Sequence, residues 1–162
     1  MYTLKFNEDG FELRLKQLET QLSDLSPVMQ DLGELLVQST QDRMLRGQQP
    51  DGAPFAPRSQ TTLDLYAAQG FRFGSEPLNK SGEMRQQLAY DADPGGVTWG
   101  SNAIQSAVMQ FGAGKGAFGT NAKGGQIPWE DIPARPFLGV SAEDRSAMVE
   151  ELEEWLERVS AN

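Results

Sequence analysis

The chain contains no cysteine and no histidine among its 162 residues. Without thiols there is no disulfide framework and no cysteine nucleophile. Without imidazole the common zinc sites and the Ser-His-Asp triad are excluded as well. Carboxylate, lysine, tyrosine or oxygen-ligated metal chemistry is what remains. Long apolar runs are missing too, and nothing approaches the roughly 20 residues that span a bilayer. Met1 to Phe6 passes directly into Asn7-Glu8-Asp9 with no apolar export segment, so the expectation is a soluble protein made in the cytoplasm. Basic side chains are scarce, 14 against 23 acidic, for a net charge of −9. Nucleic-acid affinity is dominated by phosphate neutralisation, so DNA should be repelled rather than bound.

Hydrophobic residues make up only 38% of the chain, whereas 17 glycines and 9 prolines make up about a sixth of it. The length suits one domain over 1–162, able to bury roughly 70% of its unfolded surface. Much of it must nevertheless be loop, ordered in part by a partner.

Tyr2 to Phe6 alternates like a short strand, and Leu13, Leu15, Leu18, Leu22 and Leu25 recur near helical spacing. Ser26-Pro27 should cap a second helix carrying Val28, Leu32, Leu36 and Met44, with Gly47 as its stop. A Pro- and Gly-rich connector follows over 47–58, then a weak helix from Gln60 to Gln69. Ser81-Gly82-Glu83 should open another helix through Met84, Leu88 and Ala89. Asp93-Pro94-Gly95-Gly96 reads as a turn and Val97 to Gly100 as a strand. Asn102 is placed to cap a short helix bearing Ile104 and Phe111. A final amphipathic helix begins at Ser141-Ala142-Glu143-Asp144 and carries Met148, Leu152, Trp155 and Val159. The expected class is α+β, a small antiparallel sheet packed with several helices and interrupted by long Gly/Pro-rich loops.

Few of these segments point to chemistry. The glutamates of the last helix read as a solvated face rather than paired catalytic acids. Asp9 and Asp51 sit in ordinary turns, and no calcium-loop spacing accompanies them. No cofactor or metal is expected. Gly112 to Gly125 holds six glycines, two lysines and no acid. It fails the phosphate-loop pattern and reads instead as a flexible arm over 112–126, opposite in sign to the rest of the chain. Lys115, Phe118, Lys123 and Trp129 are its candidate contacts with an acidic neighbour. Pro133 and Pro136 hold an extended backbone around Arg135, with Phe137 and Leu138 as an apolar anchor. These five residues and Phe55 complete the candidate interface set. Arg135 is expected to fork onto backbone carbonyls or carboxylates at or near a subunit boundary; the alternative is a rigid connection that staples the C-terminal helix to its own core.

Five short motifs resemble one known family. They are Pro50-Asp51-Gly52-Ala53-Pro54-Phe55-Ala56-Pro57, Leu78-Asn79-Lys80-Ser81-Gly82-Glu83-Met84, Val97-Thr98-Trp99-Gly100-Ser101-Asn102, Gln110-Phe111-Gly112 and Ile132 to Gly139. In this order they resemble the virion morphogenesis family of tailed bacteriophages, which includes the tail completion proteins of Mu-like and P2-like phages. The resemblance runs from about residue 27 to 158. It departs from the pattern at Phe55, where the family has Trp, and at Met109, where it has His.

The resemblance implies a non-enzymatic virion protein at the neck, present in the host cytoplasm during assembly. It implies a homo-oligomeric, hexameric ring that caps the tail tube and joins it to the head–tail connector. DNA would pass through the lumen without specific binding, and no membrane is involved. Two other readings are a capsid-side scaffold or decoration protein and a carboxylate-based cell-wall hydrolase.

Overall fold

The computed structural model describes residues 8–70 and 76–161. The strand expected at Tyr2–Phe6 lies outside them. The element order is α1 (Glu8–Leu22), α2 (Ser26–Arg46), α3 (Gln60–Ala68), α4 (Glu83–Gln86), β1 (Leu88–Asp93), β2 (Gly96–Ser101), α5 (Ser106–Phe111) and α6 (Ala142–Ala161). The class is α+β, with a C-terminal helix.

The organising element is α2, which packs against the β1–β2 hairpin and against α6. Its apolar residues recur every three to four positions, so Val28, Leu32, Leu36 and Met44 are all buried. Burying a side chain of this size stabilises by roughly 1.5–3 kcal/mol. Gly33 allows the hairpin to lie close, because a Cβ there would overlap the Tyr90 ring. Gly47 terminates α2 in the left-handed conformation (φ 71°). Its amide and that of Gln48 donate to the Met44 and Arg43 carbonyls, at 3.3 and 3.0 Å, closing a Schellman pattern. The helix start differs from expectation. Leu25 is the N-cap and Ser26 already lies inside the helix, its amide held by Asp24 Oδ1 at 2.9 Å.

Leu88 and Ala89 are strand, not helix. α4 is a single turn ending at Gln86, and beyond it the burial alternates from Leu88 to Asp93 with the period of two that a strand imposes. The strands pair antiparallel from Leu88↔Ser101 to Asp93↔Gly96, joined by a tight turn at Pro94-Gly95. α5 begins only at Ser106, with Gln105 rather than Asn102 at its N-cap, and Ile104 is left exposed. The main core gathers Met44, Phe55, Met84, Leu88, Ala103 and Phe137.

α6 is fixed to α2 by a buried ion pair. Arg43 Nη1 donates to Asp144 Oδ2 at 2.6 Å, and both side chains are almost completely buried. Arg43 also reaches Ser39 Oγ at 2.7 Å, Thr40 Oγ1 at 3.2 Å and the Gly139 carbonyl at 2.9 Å. Asp144 caps its own helix, accepting from the Ser141 amide at 2.8 Å while its amide donates to Ser141 Oγ at 3.0 Å. Burial alone would raise the Asp144 pKa. Hydrogen bonds from the Ser39 hydroxyl and the Ser141 amide, with the Arg43 charge, outweigh that and hold it below its ordinary value.

Removing one partner of this pair strands a buried charge. Arg43→Ala or Asp144→Ala should therefore destabilise by about 3–5 kcal/mol, measured by denaturant melts. The carboxylate's contribution is complete above the ordinary aspartate pKa of 3.8 and is lost as pH falls through its lower folded-state value. Acid melts between about pH 5 and 2 should show this loss in the native chain and a shallower one in Asp144→Asn.

Candidate functional site

The connector, the base of the arm and the Ile132–Gly139 segment are joined by hydrogen bonds. The connector turns back on itself: Gln49 N–H donates to the Ala53 carbonyl at 2.8 Å and Phe55 N–H to the Gly47 carbonyl at 2.8 Å. This return buries Phe55 beside Met44 and Phe137. Pro50 then lies against Gly139, where a Cβ would come within 2.8 Å of the proline Cγ.

Among the described residues the segment from Arg135 to Gly139 has no strand partner, and side chains satisfy most of its backbone. Gln110 Oε1 accepts from the Phe137 and Leu138 amides, both at 3.0 Å, and Gln110 Nε2 donates to the Leu138 carbonyl at 3.1 Å. The Arg135 amide donates to the Met109 carbonyl at 2.7 Å. The Arg135 guanidinium reaches back to the connector, with Nε on the Ala56 carbonyl at 2.6 Å and Nη2 on the Pro57 carbonyl at 2.7 Å. Desolvation, with the nearby Arg58 charge, pushes the Arg135 pKa down.

Arg135, Phe137 and Phe55 are therefore not at a free surface. Arg135 is 7% exposed and Phe137 0%, and both are engaged inside their own chain. The two flanking prolines extend the backbone as expected, but they present Arg135 inward to the connector. Leu138 is half-buried against the core. Pro133, Lys115, Phe118, Lys123 and Trp129 remain exposed, and Pro136 is half-buried. Sequence reasoning passed over Gln110, Arg43 and Asp144. Gln110 was visible only as a letter of the Gln-Phe-Gly motif, and Arg43 as one of two arginines near a helix end.

The glycine-rich arm pairs with the residues that follow it. Ala113 and Ile132 exchange hydrogen bonds at 2.9 and 2.7 Å. Further out, Phe118 N–H donates to the Ile127 carbonyl at 2.7 Å and Asn121 N–H to the Gly125 carbonyl at 2.8 Å. The result is an irregular hairpin with a ladder but little core beneath it, and Phe111, Phe118, Ile127 and Trp129 stay open to solvent. Its base borders a cleft of about 490 Å³, walled by Arg58, Tyr66, Lys80, Met109, Trp129 and Arg135. Lys80 Nζ sits 4.5 Å from the Tyr66 ring centroid. Acids and bases both line this cleft, among them Glu83, Glu130 and Asp131.

Among the described residues no cluster of three acidic side chains is placed to hold a metal ion, and no helix is long and apolar enough to cross a membrane. Asp24, hydrogen-bonded to Ser26, and Asp144 are both held below the usual carboxylate range. A general acid needs the opposite shift.

The phage virion morphogenesis family matches over residues 7–157. The chain belongs to that family. It is 31% identical over 147 residues to tail completion protein S of Escherichia phage P2, covering 88% of this chain and 91% of that protein. No solved structure matches it.

Loss of the Arg135 fork leaves the Ala56 and Pro57 carbonyls without their charged donor. Arg135→Ala should destabilise the single chain by about 2–3 kcal/mol. Limited proteolysis should then open the connector between residues 50 and 58. Arg135→Lys should recover only part of this, because an ammonium lacks the planar fork. An Arg135→Ala chain as stable as the native one, but defective in association, would return Arg135 to a subunit boundary.

Proposed function

We propose that this protein is a tail completion protein, a structural and non-catalytic component of a tailed phage virion. In this reading copies of the chain form a ring, hexameric by preference. The ring caps the head-proximal end of the tail tube and joins it to the head–tail connector. The observation that carries the reading is the near full-length similarity to tail completion protein S. Physical features support it. Two excursions and the C-terminal helix are locked to one core, which gives a rigid body suited to assembly. The arm exposes aromatic side chains with little beneath them, a feature typical of interaction surfaces. The net charge of −9 per chain suits a channel through which DNA passes without adhering.

Deleting the gene from its phage should leave filled heads and free tails that do not join, counted by electron microscopy. Antibody against the chain should label the head-proximal end of tails in joined particles. Label confined to heads, with normal joining in the deletion, would instead favour a capsid-side accessory protein.

A further inference from the structure

A closed ring of identical chains requires two different surfaces on each copy that fit one another. Two exposed faces of this protein have that relation. One is the outer part of the arm. Between Lys115 and Ile127 it carries two lysines and no acid. Phe118 is 55% exposed there, and Trp129, beside the arm's base, is 57% exposed. The acids Glu130 and Asp131 lie at the base, where Asp131 Oδ1 accepts from the Lys115 amide at 2.7 Å.

The other face is the outer side of α6. Its inner side turns Asp144 and Trp155 toward the body of the protein. Val149 and Leu156 are two turns apart on another face, roughly 120° around the helix, and are 52% and 48% exposed. Glu153 lies between them in the same stripe, and Glu150 and Glu157 flank it, all three exposed. Apolar side chains of this size in an acidic stripe, on a helix whose other side is already packed, leave a face without a partner among the described residues. The arm does not cover it, since the apolar groups of both faces remain open. The lysine–aromatic arm and the glutamate–aliphatic stripe are complementary in charge and share exposed apolar groups.

We infer that the arm of one copy docks on the outer face of α6 of the next. Phe118 and Trp129 pack on Val149 and Leu156, and Lys115 and Lys123 lie among Glu150, Glu153 and Glu157. The contact joins unlike patches, so each copy offers an arm in one direction and a helix in the other. This inference rests on the ring reading above.

The chain has no native cysteine, so a single introduced thiol reports one position. Full-length Phe118→Cys and Leu156→Cys variants with distinguishable tags are mixed, oxidised and resolved by electrophoresis. The mixed disulfide should dominate, about tenfold over crosslinks of either variant to an exposed Asp51→Cys control. Adding Lys115→Glu and Lys123→Glu should cut it by about tenfold, and placing Glu153→Lys and Glu157→Lys on the helix copy should restore it. Oligomers without the mixed crosslink, or a chain that stays monomeric at every concentration, overturn the inference. Rescue of a tail-completion-defective phage by the native chain is scored separately. A crosslink without rescue keeps the interface and rejects the neck role; rescue without a crosslink does the reverse.

Discussion

A buried extended segment with no sheet to join must find partners for its backbone elsewhere, and the rest of this structure is arranged around that need. Phe137 is fully buried, so the polar groups beside it cannot be left to water. Gln110 accepts from two of these amides and donates to the following carbonyl, in place of a neighbouring strand. Arg43 takes the Gly139 carbonyl and Arg135 takes two carbonyls of the connector. Two side chains from other elements thus hold the segment, and its own Arg135 ties it to the connector. The connector, α5 with the arm's base, α2 and the start of α6 are joined through it.

This arrangement explains why a chain so rich in glycine and proline can still hold a defined shape. Each excursion leaves a well-packed element, turns with its own hydrogen bonds, and returns an anchor to the same core. Phe55 is the anchor of the connector, and Phe137 that of the final segment. The Arg43–Asp144 pair does the same for α6, combining helix capping with a buried charge contact. Polar contacts that specify geometry inside a small core leave the outer surfaces free for association.

Much of the fold was legible in the sequence because its signals are local. The span of α2, its stop at Gly47, the hairpin turn at Pro94-Gly95 and the start of α6 follow from periodicity and cap chemistry. At Leu88–Ala89 the signals compete locally: a helix opening at Gly82 extends by its apolar spacing through Ala89, yet Leu88, Tyr90 and Ala92 already alternate with more polar neighbours, and the strand prevails. That Arg135 would fork onto backbone carbonyls was legible, but not whose, since a proline-flanked arginine looks the same whether it faces a second subunit or its own connector. Which one it meets depends on a contact 79 residues away. Gln110 was hidden for the same reason, because its partners lie 27 and 28 residues further on.

The Gln-Phe-Gly motif, the Pro-Asp-Gly connector and the Ile132–Gly139 segment are distant in sequence, yet they form a single hydrogen-bonded knot. The most direct test of its central place is native-state hydrogen exchange of the Phe137 and Leu138 amides in the isolated, full-length chain. If Gln110 stands in for a strand, both amides should be protected nearly as strongly as the α2 core, and Gln110→Ala should release them. Exchange of these amides at the rate of the exposed arm, in the native chain, would contradict the account.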